Sequence, residues 1–166
     1  MNKEISLDVS GMGIIMFSEY AVEHIKEGED YFSTNYQTGE EVLNHVYQGT
    51  IVGFCTSSPG IYILKIKSGY PEETILASAE YKMRLGIQVK GGKIHFKDLF
   101  VLMDWMVGYY PEEQSVEMED GYYNITMHSN KPESGRLGDD QVIYIYFNKL
   151  DSMPKLKFNG VPTLCE

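Results

Sequence analysis

The chain is short of the residues that carry covalent chemistry. Only two of its 166 residues are cysteine, Cys55 and Cys165, too few for a disulfide framework. Cys55 sits in the apolar run Ile51–Cys55 and is expected to be a small buried hydrophobe. Cys165, next to the last residue, is expected to be a mobile thiol. Long hydrophobic runs are also missing. The longest stretches, Ile61–Leu64 and Leu99–Met103, are far too short to span a bilayer. After Met1-Asn2-Lys3-Glu4 the sequence alternates, without the continuous apolar core of a secretory signal. The expected compartment is therefore the reducing cytoplasm, with no membrane partner.

Catalytic and cofactor motifs are absent as well. No Gly-x-Ser-x-Gly occurs, and no glycine loop runs into Lys-Ser/Thr to cradle a phosphate. Ser10-Gly11-Met12-Gly13 and Ser57-Ser58-Pro59-Gly60 are turn chemistry. His24, His45, His95 and His128 are scattered, and no two stand four apart as on a zinc-binding helix. His95 alternates with Ile94 and Phe96, and His128 shares a face with Asn124 and Thr126, so both are expected to be exposed strand residues. The acidic pairs, Glu112-Glu113 and Asp139-Asp140 among them, lack the ligand spacing of a calcium loop. Adjacent acids on a strand point to opposite faces, so no pair makes a catalytic dyad by itself. No catalytic residue, metal or cofactor is expected.

What is present is sheet-forming sequence. Thirteen tyrosines and seven phenylalanines suit strands, whose half-buried surfaces favour flat amphipathic side chains. Met83, Leu85, Ile87 and Val89 alternate with Lys82, Arg84, Gly86 and Gln88, a clean period of two. Gly91-Gly92 follows, then Ile94 and Phe96, which predicts a hairpin. A second hairpin is predicted at Asp120-Gly121, between Val116/Met118 and Tyr123/Ile125/Met127. Ile5–Val9, Ile61–Ile66 and Val142–Phe147 read as further strands, and Pro154 and Pro162 argue against a regular terminal element. Glu19–Lys26, with Ser18 as N-cap, and Asp98–Trp105, with Asp98 as N-cap, read as short helices, a buried strand being the rival for the second, while Glu41–Tyr47 suits helix or strand. About nine strands with one or two short helices predict a single mainly-β domain over 1–166, an antiparallel β-sandwich of jelly-roll type.

Charge is segregated. Residues 1–41 carry nine acids against Lys3 and Lys26, and residues 104–140 carry nine against Lys131 and Arg136. The 62 residues between them hold seven Lys/Arg against four acids, and the whole chain carries −10. Such a field steers a basic partner and repels nucleic acid. Lys82, Arg84, Lys90 and Lys93 form a basic stripe, read as solubility and edge protection rather than a nucleic-acid surface.

From Ile61 to Leu150 the pattern resembles the small β-sandwich proteins of the competence J and nuclease-inhibitor type, and related immunity proteins encoded beside bacterial toxins. The shared features are the apolar strand Ile61-Tyr62-Ile63-Leu64-Lys65, the strand–Gly–strand unit Leu85–Phe96 and the short apolar segment Leu99–Trp105. After them come the acidic-Gly-Tyr turn Glu119-Asp120-Gly121-Tyr122 and a closing strand, Val142–Phe147. The resemblance implies a non-enzymatic protein that binds a nuclease or another toxin.

A basic toxin or nuclease domain is thus the expected partner. The candidate surface is Glu112, Glu113, Glu117, Glu119 and Asp120, with Tyr109, Tyr110 and Tyr122 beside them. Because Val116 and Met118 alternate with Glu117 and Glu119, those two acids are expected on one wet face. The alternative is a sandwich that binds a sugar or lipid between its sheets, for which a deep apolar cavity is required. A homodimer sealed by tyrosines is compatible with both.

Overall fold

Alternation in the sequence becomes alternation in burial. In the computed structural model, which describes residues 1–166, Ile5, Leu7 and Val9 of β1 (Asn2–Val9) are buried while Ser6 and Asp8 face water. The chain continues through β2 (Gly13–Phe17), β3 (Val52–Cys55), β4 (Gly60–Ser68), β5 (Tyr81–Val89) and β6 (Lys93–Asp98). It ends with β7 (Ser115–Glu117), β8 (Gly121–Ser129) and β9 (Gln141–Leu150). Five strands pair in the order β1-β4-β9-β8-β5 and four in the order β3-β2-β6-β7, giving the expected mainly-β sandwich. One continuous cluster of 37 buried residues joins the elements. Every pairing is antiparallel except β4 with β9, which run parallel from Tyr62 opposite Gln141 to Ser68 opposite Phe147. A parallel pair needs a long crossover, and residues 69–140 provide one.

Neither predicted hairpin forms. Gly91 and Gly92 do take positive φ, 85° and 77°, and Gly121 takes 148°. Yet β5 pairs with β8, while β6 pairs with β2 and β7 in the other sheet. The two glycine bends are corners at which a single long ribbon, β5–β6 against β7–β8, passes from one sheet to the other. The corners are tied together: Met118 donates its N–H to the Gly92 carbonyl at 2.9 Å, and Gly92 donates to Asp120 Oδ1 at 2.8 Å. Ser18 serves this same junction rather than a helix. Its hydroxyl donates to the Lys93 carbonyl at 2.6 Å and accepts from the Lys90 N–H at 3.3 Å, and it caps nothing.

Helices are few and short. The residues after Ser18 form only a 3₁₀ turn, Glu19–Val22, and Leu99–Met103 forms another, entered through Asp98 as expected. The ambiguous 41–47 stretch belongs to a helix, Gly39–Gln48, whose start is a capping box between Thr38 and Glu41. Gly49 ends it in the left-handed conformation (φ 70°) that only glycine adopts without strain. Two more helical turns, Tyr31–Asn35 and Glu73–Ser78, carry no periodic signal long enough to read. The tail has no regular element, in keeping with its prolines, but it is pinned. Cys55 donates its N–H to the Pro162 carbonyl and accepts from the Leu164 N–H, and Cys165 is buried with its Sγ accepting from Gln141 Nε2 at 3.3 Å. Cys165 is therefore a packed thiol, while Cys55 is only half-buried.

Candidate functional site

The outer face of the four-stranded sheet organises the region predicted to act. Ile15 pairs with Lys97 and Phe17 with His95, so all four side chains share that face. Over it lies the segment 99–111, held by two backbone bonds, Trp105 N–H to the Glu29 carbonyl and Gly28 N–H to the Trp105 carbonyl. Trp105 packs on Phe17 with ring centroids 5.8 Å apart, and Tyr110 stacks on His95 at 4.4 Å. This cover buries His95 and Lys97, which are 2% and 8% exposed. His95 is thus no exposed strand residue. Its polar neighbours on the strand are polar for a reason the alternation cannot convey: the outer face is roofed by a distant segment.

Under that roof His95 Nδ1 lies 2.7 Å from Ser115 Oγ, and Nε2 lies 3.2 Å from Glu19 Oε2. The three residues have the composition of a nucleophile–base–acid relay. Ser115, however, is 2% exposed and also donates to the Pro111 carbonyl at 2.8 Å, so a substrate carbonyl has no route to it. The trio is a packed polar network that joins β6, β7 and the Glu19 turn.

The other histidines are separate. His45 Nδ1 donates to the Glu41 carbonyl at 2.7 Å, and its Nε2 lies 2.8 Å from the Tyr31 hydroxyl. Tyr31 in turn lies 3.3 Å from His24 Nε2. His128, expected to be exposed, is 4% exposed, stacked at 4.7 Å on Tyr144, and its Nε2 has no hydrogen-bond partner. No three His, Cys, Asp or Glu side chains converge to hold a metal ion.

Burial pushes His128 and His95 below the ordinary histidine range near pH 6.5, with Glu19 partly offsetting the effect at His95. Their folded forms refuse a proton that the unfolded chain accepts. Stability is therefore fully present above about pH 6.5 and falls as acidification proceeds toward the folded values. Urea denaturation of His128→Phe should show a shallower loss between pH 7 and 5 than the parent; an equal loss would exclude His128 as a contributor.

The predicted acidic residues lie where the sequence put them, at the surface. Val116 and Met118 point inward, and Glu117 and Glu119 point to water. Their environments differ. Glu119 pairs with Lys149 at 2.7 Å, Glu112 with Lys93 at 3.3 Å, and Asp120 accepts the Gly92 N–H at the corner. Glu113 and Glu117 are exposed and form no ion pair. Tyr109 is 46% exposed, Tyr110 is half-buried on His95, and Tyr122 is half-buried at the start of β8 beside the second corner. The alternation did not point to the apolar side chains next to them. Phe100, Met103, Met106 and Val107 are 39–59% exposed, a density of bare hydrophobes not repeated elsewhere on the chain. Their cue was an apolar run with too little regular periodicity to bury itself.

The cavities open at loops and sheet faces. One of about 320 Å³ lies between β1 and segment 99–111, and one of about 670 Å³ lies beneath Tyr70 and the Glu73–Ser78 helix. The core cluster occupies the space between the sheets, which counts against a sugar or lipid site there. No helix is long and apolar enough to cross a membrane.

No protein-family model matches the sequence, and no curated protein does. Two solved structures share its architecture. One is ComJ, inhibitor of the DNA degrading activity of NucA, from Bacillus subtilis: TM-score 0.51, 14% identity, 89% of this chain and 96% of that one covered. The other is the crocagin biosynthetic gene J protein: TM-score 0.55, 12% identity, 88% and 96% covered. The whole sandwich, rather than the half resembled in sequence, thus shares its fold with ComJ-like proteins.

Proposed function

We propose that this protein is a non-enzymatic inhibitor or immunity protein that neutralises a basic toxin or nuclease domain, docking through the acidic, tyrosine-bearing surface of residues 104–122. The observation that carries the reading is the bare apolar loop Met106–Tyr109 set beside Asp104, Glu112 and Glu113. An apolar centre with a charged rim is the anatomy of a protein interface. Nucleases hold phosphates with Lys and Arg, so an acidic surface competes for the same groups and gains on-rate from opposite charge. The shared fold with an inhibitor of a DNA-degrading activity supports the same role.

The pairing pattern ranks the acids. Glu113 and Glu117 present their charge to solvent, whereas Lys149 already screens Glu119. Glu113→Lys with Glu117→Lys should slow association with the nuclease domain about tenfold or more at low salt and far less at 0.5 M, while Glu119→Lys does less. Stopped-flow mixing with the purified domain measures this, with residual DNA degradation as the second readout. Association equally fast for the double reversal would remove the surface from the account, and undiminished degradation by the domain in the protein's presence would remove the inhibitor role.

A further inference from the structure

Lys97 is the one lysine or arginine that the fold buries. It donates no hydrogen bond, and none of the four ion pairs includes it. The Tyr109 and Tyr110 rings lie 4.7 and 5.8 Å from its Nζ. Cation–π attraction offsets part of the desolvation cost, and no acceptor of the chain itself meets its three N–H donors. Its Nζ is not closed off from solvent, so the acceptors come from water or from a molecule bound in its place. The route is open, because Lys97 lines the 320 Å³ cavity together with Trp105 and the apolar side chains of Leu7, Val101 and Met106. Asp8 and Asp104, both exposed, line it too.

We propose that this cavity binds a small zwitterion of amino-acid size, its carboxylate received by the Lys97 ammonium and its cationic group by Asp8 and Asp104. The lining selects this class. A phosphate dianion would gain Lys97 but meet two carboxylates, and a simple cation would gain the carboxylates but leave Lys97 unmatched. Asp98, the third acid in the cavity wall, is occupied by the Ser10 and Gly11 amides and does not compete. Leu7, Val101 and Met106 provide the apolar wall for a side chain, and the volume is at the small end of ligand sites. The site needs no partner protein, although Asp104, Met106 and Tyr109 belong both to its wall and to the docking surface.

Trp105 is the only tryptophan, so fluorescence excited at wavelengths that tyrosine does not absorb reports the cavity. Three probes of equal shape divide the proposal: L-leucine, L-leucinamide (no carboxylate) and 4-methylpentanoate (no ammonium). L-leucine is expected to give a saturable change, with the other two at least about tenfold weaker, since each lacks one charge-assisted contact. Lys97→Met, checked for native circular dichroism, should weaken L-leucine by a similar factor. If that variant fails to fold, the three-probe comparison on the unaltered protein still decides. The proposal is overturned by no saturable change with L-leucine, by equal binding of L-leucinamide, or by undiminished binding to a folded Lys97→Met. None of these results bears on nuclease association, which is measured separately.

Discussion

Asp98→Ala is expected to lose about 3 kcal/mol of stability, read as a lower urea midpoint at unchanged slope. Asp98 ends β6, and its carboxylate gathers three segments. Oδ2 accepts from the Ser10 N–H at 3.0 Å and from the Ser10 hydroxyl at 2.7 Å; Oδ1 accepts from Gly11 N–H at 3.0 Å and, longer, from Phe100 N–H at 3.4 Å. Hydrogen bonds to a charged acceptor are the stronger kind, and a methyl group leaves all four donors without it. Water reaches this half-exposed site and recovers part of the loss, which holds the estimate near 3 rather than the sum of four bonds. Asp98→Asn keeps one good acceptor and should fall about midway. A loss under about 1 kcal/mol in Asp98→Ala would mean that the β1–β2 turn holds its shape without the carboxylate. The same substitution loosens the entry to segment 99–111, so it should also weaken whatever the Met106–Tyr109 surface binds.

A comparable loss, about 3 kcal/mol or more, is expected for Gly138→Ala. Two loops cross here in contact. Gly138 has φ 81° and Gly60 has φ 148°, and the Ile61 N–H donates to the Gly138 carbonyl at 2.7 Å. A Cβ on Gly138 would run into the Pro59 carbonyl oxygen with the Gly60 Cα only 3.1 Å away, and one on Gly60 would strike the Gly138 backbone. Neither obstacle is the flexible end of a side chain, so one of the two backbones must shift. That shift would misalign β4 and β9 at the start of their parallel pairing, where Tyr62 meets Gln141. Gly135→Ala is the control, since it shares the positive φ, 78°, but has open space around its would-be Cβ. It should cost only the backbone strain, about 1 kcal/mol. Equal effects at 135 and 138, by thermal or urea melting, would show that conformation alone and not the loop crossing sets the cost.

The candidate site was legible where it depends on local alternation and hidden where it depends on cover. Glu117 and Glu119 face water and Val116 and Met118 the core because the pleat allows nothing else over consecutive residues. His95 follows the same alternation, and its polarity read as exposure; the fold buries it, together with Lys97, because residues 99–111 return across that face. Met106 and Val107, beside the predicted Tyr109, escape the pattern for the opposite reason. Both look like core by composition, and only the packing of Trp105 and Tyr110 inward shows that they are left outside.

By itself, the sequence determined most of the strands, the side that β1, β5, β7 and β9 turn to the core, the bends at Gly91-Gly92 and Gly121 and the exposure of the acids. These follow from period-two patterning and from φ values that only glycine adopts cheaply. Tertiary structure alone decided that those bends are corners between sheets, that β4 and β9 run parallel, and that Lys97 lies largely buried with no acceptor from its own chain. A glycine bend permits positive φ but does not choose the strand that the chain then meets. That choice is made by contacts between residues tens of positions apart, which no local pattern records.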